Sequence, residues 1–311
     1  MPDHPATILH YRYIPAQNQQ ACTTLVFIHG IAGSQASWLP AFDQLAACAH
    51  LLFVDCLGFG QSPRPQAAYT VSKHLEALDA TLTHWQNSNG LQHQTVFLIG
   101  HSMGALLCAH WALGMPTQNR QTSAPGNSRH LAGVVLASLP LFENEQDALA
   151  SIGSTSLFNR WMALETPLAR ATCWLMCHLR PWLTPLMPHL MPDLPPDVAR
   201  DSLQHSWTSY SQTLRQVIIQ SRGQDLLQAL ANTGIPLQII HGRNDTVANA
   251  SRMRRLLDDL SRKHAIEHPI EQAMKHPIDT LTIDGAHDIV FTHPQDMTGA
   301  IRRFVARTSG C

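Results

Sequence analysis

Six apolar or β-branched runs recur along the chain, at 24–28, 50–54, 95–99, 133–137, 237–240 and 280–283. Continuous runs of this kind are typical of strands buried on both faces, as in parallel sheets. Helical stretches are predicted between or after them at 38–47, 71–85, 104–113, 251–260 and 294–307. The order of strands and helices therefore predicts a doubly wound, mostly parallel α/β sheet.

The alternation stops between Leu141 and about Asp225, where no β-like run occurs. Apolar residues at helical spacing in this stretch indicate amphipathic helices, and the prolines from Pro181 to Pro196 indicate an irregular connection between them. We therefore predict a core at 1–140, an inserted helical cap at 141–225 and a second core segment at 226–311. Charged residues interrupt the most apolar region, 157–194, so no transmembrane helix is predicted.

A serine lies where the run at 95–99 meets a helical stretch rich in Ala and Leu. The segment reads Gly100-His101-Ser102-Met103-Gly104, which is the G-x-S-x-G pattern of a strand-to-helix turn with an exposed serine. Small residues two positions before and after the serine are needed because the turn leaves no room for side chains there. Ser102 is therefore the candidate nucleophile.

Composition narrows the class of partner. The formal net charge is −1 with no long basic run, so nucleic acid is not expected as a partner. The seven cysteines are odd in number and unevenly spaced, which indicates reduced thiols and a cytoplasmic protein, and residues 1–20 contain no signal-peptide core. The oligomeric state stays open.

Four further segments join the serine motif in a resemblance to the α/β-hydrolases. They are Phe27-Ile28-His29-Gly30, the segment Asp55 to Ser62, His241-Gly242-Arg243-Asn244-Asp245, and Gly285-Ala286-His287-Asp288. The chain resembles this superfamily over most of its length, the predicted cap excepted, and its serine, acid and histidine follow the order of the family. The resemblance implies a serine hydrolase with a lid, and Ser102 disfavours the members that carry an aspartate at the nucleophile position.

The candidate base and acid follow the last two strands. His287 lies just after the run at 280–283, at the carboxyl edge of the predicted sheet, and would accept the proton of Ser102. The resemblance favours Asp245 as the acid that orients the imidazole. Other carboxylates remain alternatives, namely Asp284, Asp288, Glu143 and Glu145.

The resemblance implies that the backbone N–H groups of Ile31 and Met103 form the oxyanion hole. Structural roles are predicted for His29, His101, Asp55 and Ser62, which we expect to orient or stabilise loops beside the site. Neither a metal nor a cofactor is predicted, because Cys173 and Cys177 lack further ligands nearby and no phosphate-binding glycine motif follows a strand.

Together these features predict an esterase-like serine hydrolase that acts on a small hydrophobic ester, thioester or lactone. Trp and Met residues in the cap indicate an apolar wall over the site. Two alternatives remain open. The same three residues serve carbon–carbon hydrolases and biosynthetic cyclases or lyases, and some relatives of this fold act as small-molecule receptors.

Overall fold

The computed structural model describes residues 7–18, 20–91, 94–114, 130–155, 161, 166–267 and 278–309. The described residues contain a sheet of seven strands in the order β1-β3-β2-β4-β5-β6-β7. Its strands are β1 Tyr11–Ile14, β2 Thr23–Ile28, β3 His50–Val54, β4 Thr95–His101, β5 His130–Ala137, β6 Leu237–Gly242 and β7 Asp279–Ile283. Only the β1–β3 pair is antiparallel within this sheet. The predicted doubly wound, mostly parallel α/β fold is confirmed.

Helices connect the strands and cover the sheet. They are α1 Val71–Asn89, α2 Met103–Gly114, α3 Glu145–Thr155, α4 Pro167–His178, α5 Arg180–Leu183, α6 Met187–Leu190, α7 Pro196–Asp201, α8 Trp207–Thr213, α9 Gly223–Ala231, α10 Ala250–Glu267, α11 Ile289–Thr292 and α12 Pro294–Ser309. A π-helical segment, Leu214–Ile219, follows α8 directly. Local signals set several ends: Thr70 caps the first turn of α1, and Gly90 ends that helix in the left-handed conformation.

Two predictions of local structure are wrong. The segment 38–47 is not an α-helix, because it contains Pro40; it forms a 3₁₀ turn at Asp43–Ala47, and another 3₁₀ turn, Gln35–Ser37, precedes it. The stretch from Pro181 to Pro196 is not irregular throughout, since it includes three short helical segments that each carry a proline in the first turn. Proline is tolerated there because the first N–H groups of a helix have no partner within it.

Side chains of each central strand divide between two apolar layers. In β2, Leu25 and Phe27 pack on the face covered by α12, whereas Val26 and Ile28 pack on the face covered by α1 and α2. Alternation along a strand sends successive side chains to opposite faces. The strands read as continuous apolar runs because both faces are buried.

The chain leaves the sheet after β5 and returns at β6, which pairs directly with β5. Among the described residues of this excursion, 138–155, 161 and 166–236, all regular elements are helical. Hydrogen bonds join the excursion to the core: Ser34 Oγ donates to Asp201 at 2.6 Å, Arg64 donates to the Gln204 carbonyl at 2.9 Å, and the Tyr69 amide donates to Gln212 at 2.9 Å. The helices therefore lie over the carboxyl edge of the sheet.

None of the helices in the described ranges combines the length and the apolar character needed to cross a membrane.

Candidate active site

Ser102 lies between β4 and α2 in the left-handed conformation, with φ of +55°. Its amide donates to the Ala137 carbonyl of β5 at 2.9 Å, which fixes the turn against the neighbouring strand. Residues other than glycine rarely adopt this backbone conformation, and the tight packing around the turn maintains it here. The serine hydroxyl is thereby raised above the sheet edge.

The imidazole of His287 lies between Ser102 and Asp245. Its Nε2 is 2.9 Å from Ser102 Oγ, and its Nδ1 is 2.9 Å from one Asp245 oxygen and 3.0 Å from the other. An Nδ1–H that donates to the carboxylate leaves Nε2 free to accept the serine proton. The structure thus brings together the three residues that the sequence nominated.

Asp245 is fixed and remains ionised. Only 3% of the residue is exposed, and its Oδ1 accepts the amides of Val247 and Ala248 at 2.8 Å each. Burial alone raises the pKa of the carboxyl, but the hydrogen bonds from His287 and the Ala248 amide outweigh it and lower the pKa. A negative charge therefore faces Nδ1 of His287.

The alternative carboxylates have other surroundings. Glu143 lies 3.5 Å from Arg252, and Glu145 lies 3.7 Å from Arg215. Asp284 is exposed beside Arg243. Asp288 lies at the start of α11, where its carbonyl accepts the amide of Phe291. Among the described residues, Asp245 alone forms an ion pair with the imidazole of His287.

The two predicted oxyanion donors lie beside the serine. Ile31 follows β2 and lines the same small cavity as Ser102, and Met103 is the first residue of α2. No acceptor in the described part of the chain pairs with either backbone N–H. Both amides are therefore available to a ligand, while their role as an oxyanion hole stays a prediction.

Two residues that flank the site hold the loop of His287. His101 Nε2 donates to the His287 carbonyl at 2.9 Å, and the Ser138 hydroxyl donates to the same oxygen at 3.2 Å. His101 was predicted to have a structural role, but Ser138 was not predicted. A signal existed, because Ser138 is the first residue beyond β5, at the sheet edge where sites of this architecture lie.

Buried histidines make stability depend on pH. Burial is the main cause that lowers the pKa of His74 to about 4, and His101 and His205 share that shift. The unfolded chain protonates these groups below about pH 6.5, so it binds more protons than the native state between about pH 6.5 and 4. We expect stability to fall as the pH drops through that window.

The urea midpoint of unfolding, measured from pH 7 to pH 5, tests this expectation. Replacement of His74 by glutamine should reduce the loss of unfolding free energy between pH 7 and pH 5 by on the order of 1–2 kcal/mol. The control is His84→Gln, because His84 is exposed on the same helix. Equal slopes for the two variants would contradict the assignment.

Asp55 joins two loops. It accepts the amides of Gln35 and Gln61 at 2.7 and 2.9 Å, and the Ser62 hydroxyl donates to its carbonyl at 2.6 Å. His29 accepts the Cys56 amide at 2.8 Å and contacts the Gly30 carbonyl at 2.7 Å. These contacts correspond to the loop-stabilising roles predicted for Asp55, Ser62 and His29.

Two adjoining cavities open over the imidazole. The smaller, about 290 Å³, reaches Ser102 and Ile31, and the larger, about 950 Å³, extends beneath the cap helices. Both are lined by His287 and by Tyr210 of α8, a cap residue that sequence reasoning did not single out. The larger cavity is mainly apolar, and its lining includes Met176, Met187, Leu190, Met191, Leu194 and Leu203.

Comparisons with known proteins identify a family for the chain. The model of the Alpha/beta hydrolase family matches residues 25–300. Probable lysophospholipase BODYGUARD 4 of Arabidopsis thaliana is 23% identical over 243 residues, which cover 74% of this chain and 54% of that protein. (Lyso)-N-acylphosphatidylethanolamine lipase of Mus musculus is 32% identical over 98 residues, which cover 32% of this chain and 28% of that protein. The chain thus spans about half or less of the length of these relatives.

Solved structures resemble the whole fold. The enol-lactonase from Burkholderia xenovorans is 15% identical and covers 96% of each chain, with a TM-score of 0.62. A carboxylesterase of Nitrososphaera gargenis is 17% identical and covers 99% of this chain and 98% of its own, with a TM-score of 0.61. At such identity the likeness shows a shared fold.

Proposed function

This chain belongs to the alpha/beta hydrolase family, and from that premise we propose that it hydrolyses carboxylic esters with an extended apolar acyl chain, using Ser102 as nucleophile. One observation carries the proposal: the His287 imidazole lies 2.9 Å from Ser102 Oγ and 2.9 Å from an Asp245 oxygen. A serine hydroxyl needs such a base, because it is a weak nucleophile while protonated.

The first half-reaction acylates the serine. Ser102 Oγ attacks the ester carbonyl while His287 Nε2 accepts its proton, and Asp245 stabilises the resulting imidazolium. Negative charge develops on the carbonyl oxygen, which accepts hydrogen bonds from the amides of Ile31 and Met103. The intermediate then expels the alcohol, which leaves with the proton from His287.

The second half-reaction releases the acid. Water enters the small cavity, loses a proton to His287 Nε2 and attacks the acyl carbonyl on Ser102. Collapse of this second intermediate returns the proton to Ser102 Oγ and frees the carboxylic acid. One imidazole acts as base and then as acid in both halves, which is why Asp245 must keep a single tautomer in place.

The larger cavity supports an extended acyl group. Its volume of about 950 Å³ is at the upper end of small-molecule sites, which hold about 300–1,000 Å³. Four methionine and leucine side chains of α4, α6 and the following turn line it: Met176, Met187, Leu190 and Met191. Flexible thioether side chains adapt to a mobile aliphatic chain better than branched ones.

The relatives support the same substrate class through their names, which describe a lysophospholipase and a lipase of N-acylated phospholipids. Both names refer to acylated phospholipids. The division into a core at 1–140, a cap at 141–225 and a core at 226–311 is part of this proposal, because it makes the cap the wall of the acyl cavity.

A series of p-nitrophenyl esters from acetate to dodecanoate tests the proposal. We expect kcat/KM to rise by up to about fourfold for each added methylene until the cavity is filled, which corresponds to about 0.8 kcal/mol per buried methylene. A fluorophosphonate should add once to the protein, with the adduct on Ser102. The matched control is Ser154→Ala, because Ser154 lines the large cavity away from the imidazole contacts.

Two results would contradict the proposal. A flat rate across chain lengths would remove the acyl assignment. A fluorophosphonate adduct on Ser102 without turnover of any ester would favour the alternatives, namely a carbon–carbon hydrolase, a cyclase or lyase, or a receptor that retains a reactive serine.

A further inference from the structure

The outer surface of the cap concentrates apolar exposure in one place. Every exposed large apolar side chain in the described part of the chain lies between Leu168 and Met191. Trp182 is 78% exposed, Leu168 and Leu190 are each 65% exposed, and Trp174 is 59% exposed. We call this region, from Leu168 to Met191, the apolar cap surface.

Helix α4 shows that this exposure is not a consequence of incomplete packing. Its inner face buries Ala169 and Cys173, so the helix already has an apolar side against the protein. Its outer face presents Leu168, Trp174 and Leu175 to solvent. Large exposed apolar patches mark interaction sites.

The charge of the same segment is one-sided. Residues 166–192 contain no Asp or Glu, while their two arginines are Arg170 and Arg180. The whole chain is balanced, with 22 acidic and 21 basic residues. Arg170 is exposed on α4, and Arg180 donates to the His205 carbonyl at 2.7 Å. Arg180 is thus held inward, and Arg170 is the arginine that this surface presents to an anionic partner.

The apolar cap surface is continuous with the proposed acyl cavity. Leu190 and Met191 are exposed to solvent and also line the larger cavity, so they form part of its rim. Beneath them, Met187 is buried and also lines the cavity. A molecule that crosses the Leu190–Met191 rim can reach His287 within one cavity, because His287 lines the same cavity.

We propose that the apolar cap surface docks on an anionic phospholipid bilayer, so that a lipid acyl chain passes over the Leu190–Met191 rim into the cavity. The passage of substrate rests on the proposed function, whereas the docking does not. Tryptophan suits this position because its ring is apolar and its N–H is polar, as in the aromatic belts of membrane proteins. Arg170 would face the lipid headgroups.

A second copy of the chain is a weaker occupant for the surface. A two-fold dimer buries the same patch on both subunits, so Arg170 of each copy would enter the interface, and residues 166–192 supply no acidic partner for it. Like charges at an apolar interface oppose association. A bilayer with anionic headgroups supplies the missing negative charge.

Vesicle flotation of the Ser102→Ala variant tests docking without hydrolysis of the lipid. We expect the protein to float with vesicles of phosphatidylcholine and phosphatidylserine, and brominated lipid to quench its tryptophan fluorescence. The double substitution Trp182→Ser and Leu186→Ser should weaken binding at least about tenfold, since it removes two large apolar contacts. Hydrolysis of p-nitrophenyl acetate by the same double variant, with Ser102 intact, should be unchanged.

Charge variants separate the headgroup contribution. Arg170→Glu should weaken binding to phosphatidylserine vesicles, while Arg262→Glu should not, because Arg262 lies on α10, outside the apolar cap surface. Equal binding by the apolar double variant and its parent would overturn the proposal. The proposal would also be overturned if the parent does not float with vesicles and sediments as a dimer while the double variant sediments as a monomer. Docking of Ser102→Ala without ester turnover by wild type would instead overturn only the proposed function.

Discussion

Replacement of Asp245 by asparagine is expected to lower kcat about 10⁴-fold while the protein stays folded, the size of loss that the wrong histidine tautomer causes in serine proteases. The asparagine Oδ1 can still accept the amides of Val247 and Ala248, which lie 2.8 Å from Asp245 Oδ1. Its NH₂ group then occupies the place of the oxygen 2.9 Å from His287 Nδ1. Local structure is therefore retained.

The loss arises because an amide donates where a carboxylate accepts. With an NH₂ group opposite Nδ1, the imidazole carries its proton on Nε2, which then cannot accept the proton of Ser102. The asparagine also lacks the negative charge that stabilises imidazolium. Both effects act on the chemical step, so we expect kcat to fall much more than KM rises.

Steady-state kinetics on the best p-nitrophenyl ester will measure this effect, with Asp284→Asn as the matched control. Asp284 is close to His287 in sequence, but its side chain is 82% exposed, so its replacement should change kcat less than twofold. A large loss in Asp284→Asn, or a loss below tenfold in Asp245→Asn, would contradict the assignment of the acid.

The nucleophile and base were predictable because their signals are local. Gly100 and Gly104 around Ser102 mark a tight turn between a strand and a helix, and His287 follows a strand at the sheet edge. Asp245 was harder, because four other carboxylates competed for the same role in the sequence. The structure separates them by contacts that join residues 42 positions apart, which no local pattern contains.

Elements with weak local signals were missed. β1 has four residues, pairs on one side only and is mostly half-buried, so its pattern does not stand out. Trp38, Phe42 and Leu45 have helical spacing, which predicts a helix over 38–47 that the structure does not contain. Their burial in the core explains the spacing without an α-helix, and Pro40 removes a backbone donor.

The cap shows the limit of pattern reasoning most clearly. Apolar residues at helical spacing predicted helices between β5 and β6, and the described residues there include α3 through α9. The spacing could not tell which apolar side chains face inward. Cys173 is buried whereas Trp174 is exposed, and that difference depends on how α4 sits on the core. Orientation of this kind requires tertiary contacts.

Replacement of Gly104 by alanine is expected to cost at least about 3 kcal/mol of stability, the upper part of the range for overpacked sites. A Cβ at this position would lie 2.1 Å from the Ile28 carbonyl oxygen and 2.6 Å from its carbon. Both neighbours are backbone atoms of β2, the strand that precedes Ile31, so neither can rotate away. Helix α2 would have to move from the sheet.

That movement should also disturb the site. Met103 and Ser102 directly precede Gly104, so a shift of α2 moves the nucleophile relative to His287, whose Nε2 is 2.9 Å from the serine oxygen. A misplacement of about 1 Å costs on the order of a hundredfold in rate. We expect the melting temperature of Gly104→Ala to fall by on the order of 5 °C or more, together with a loss of ester hydrolysis.

Gly114→Ala is the control, because it makes the same chemical change at the other end of the same helix. A Cβ at Gly114 meets no heavy atom within 4 Å. Alanine is favoured over glycine in helices by up to about 1 kcal/mol, so this variant should melt at or slightly above the wild-type temperature and keep full activity. Similar melting temperatures for the two variants would mean that α2 does not approach β2 as closely as the packing at Gly104 requires.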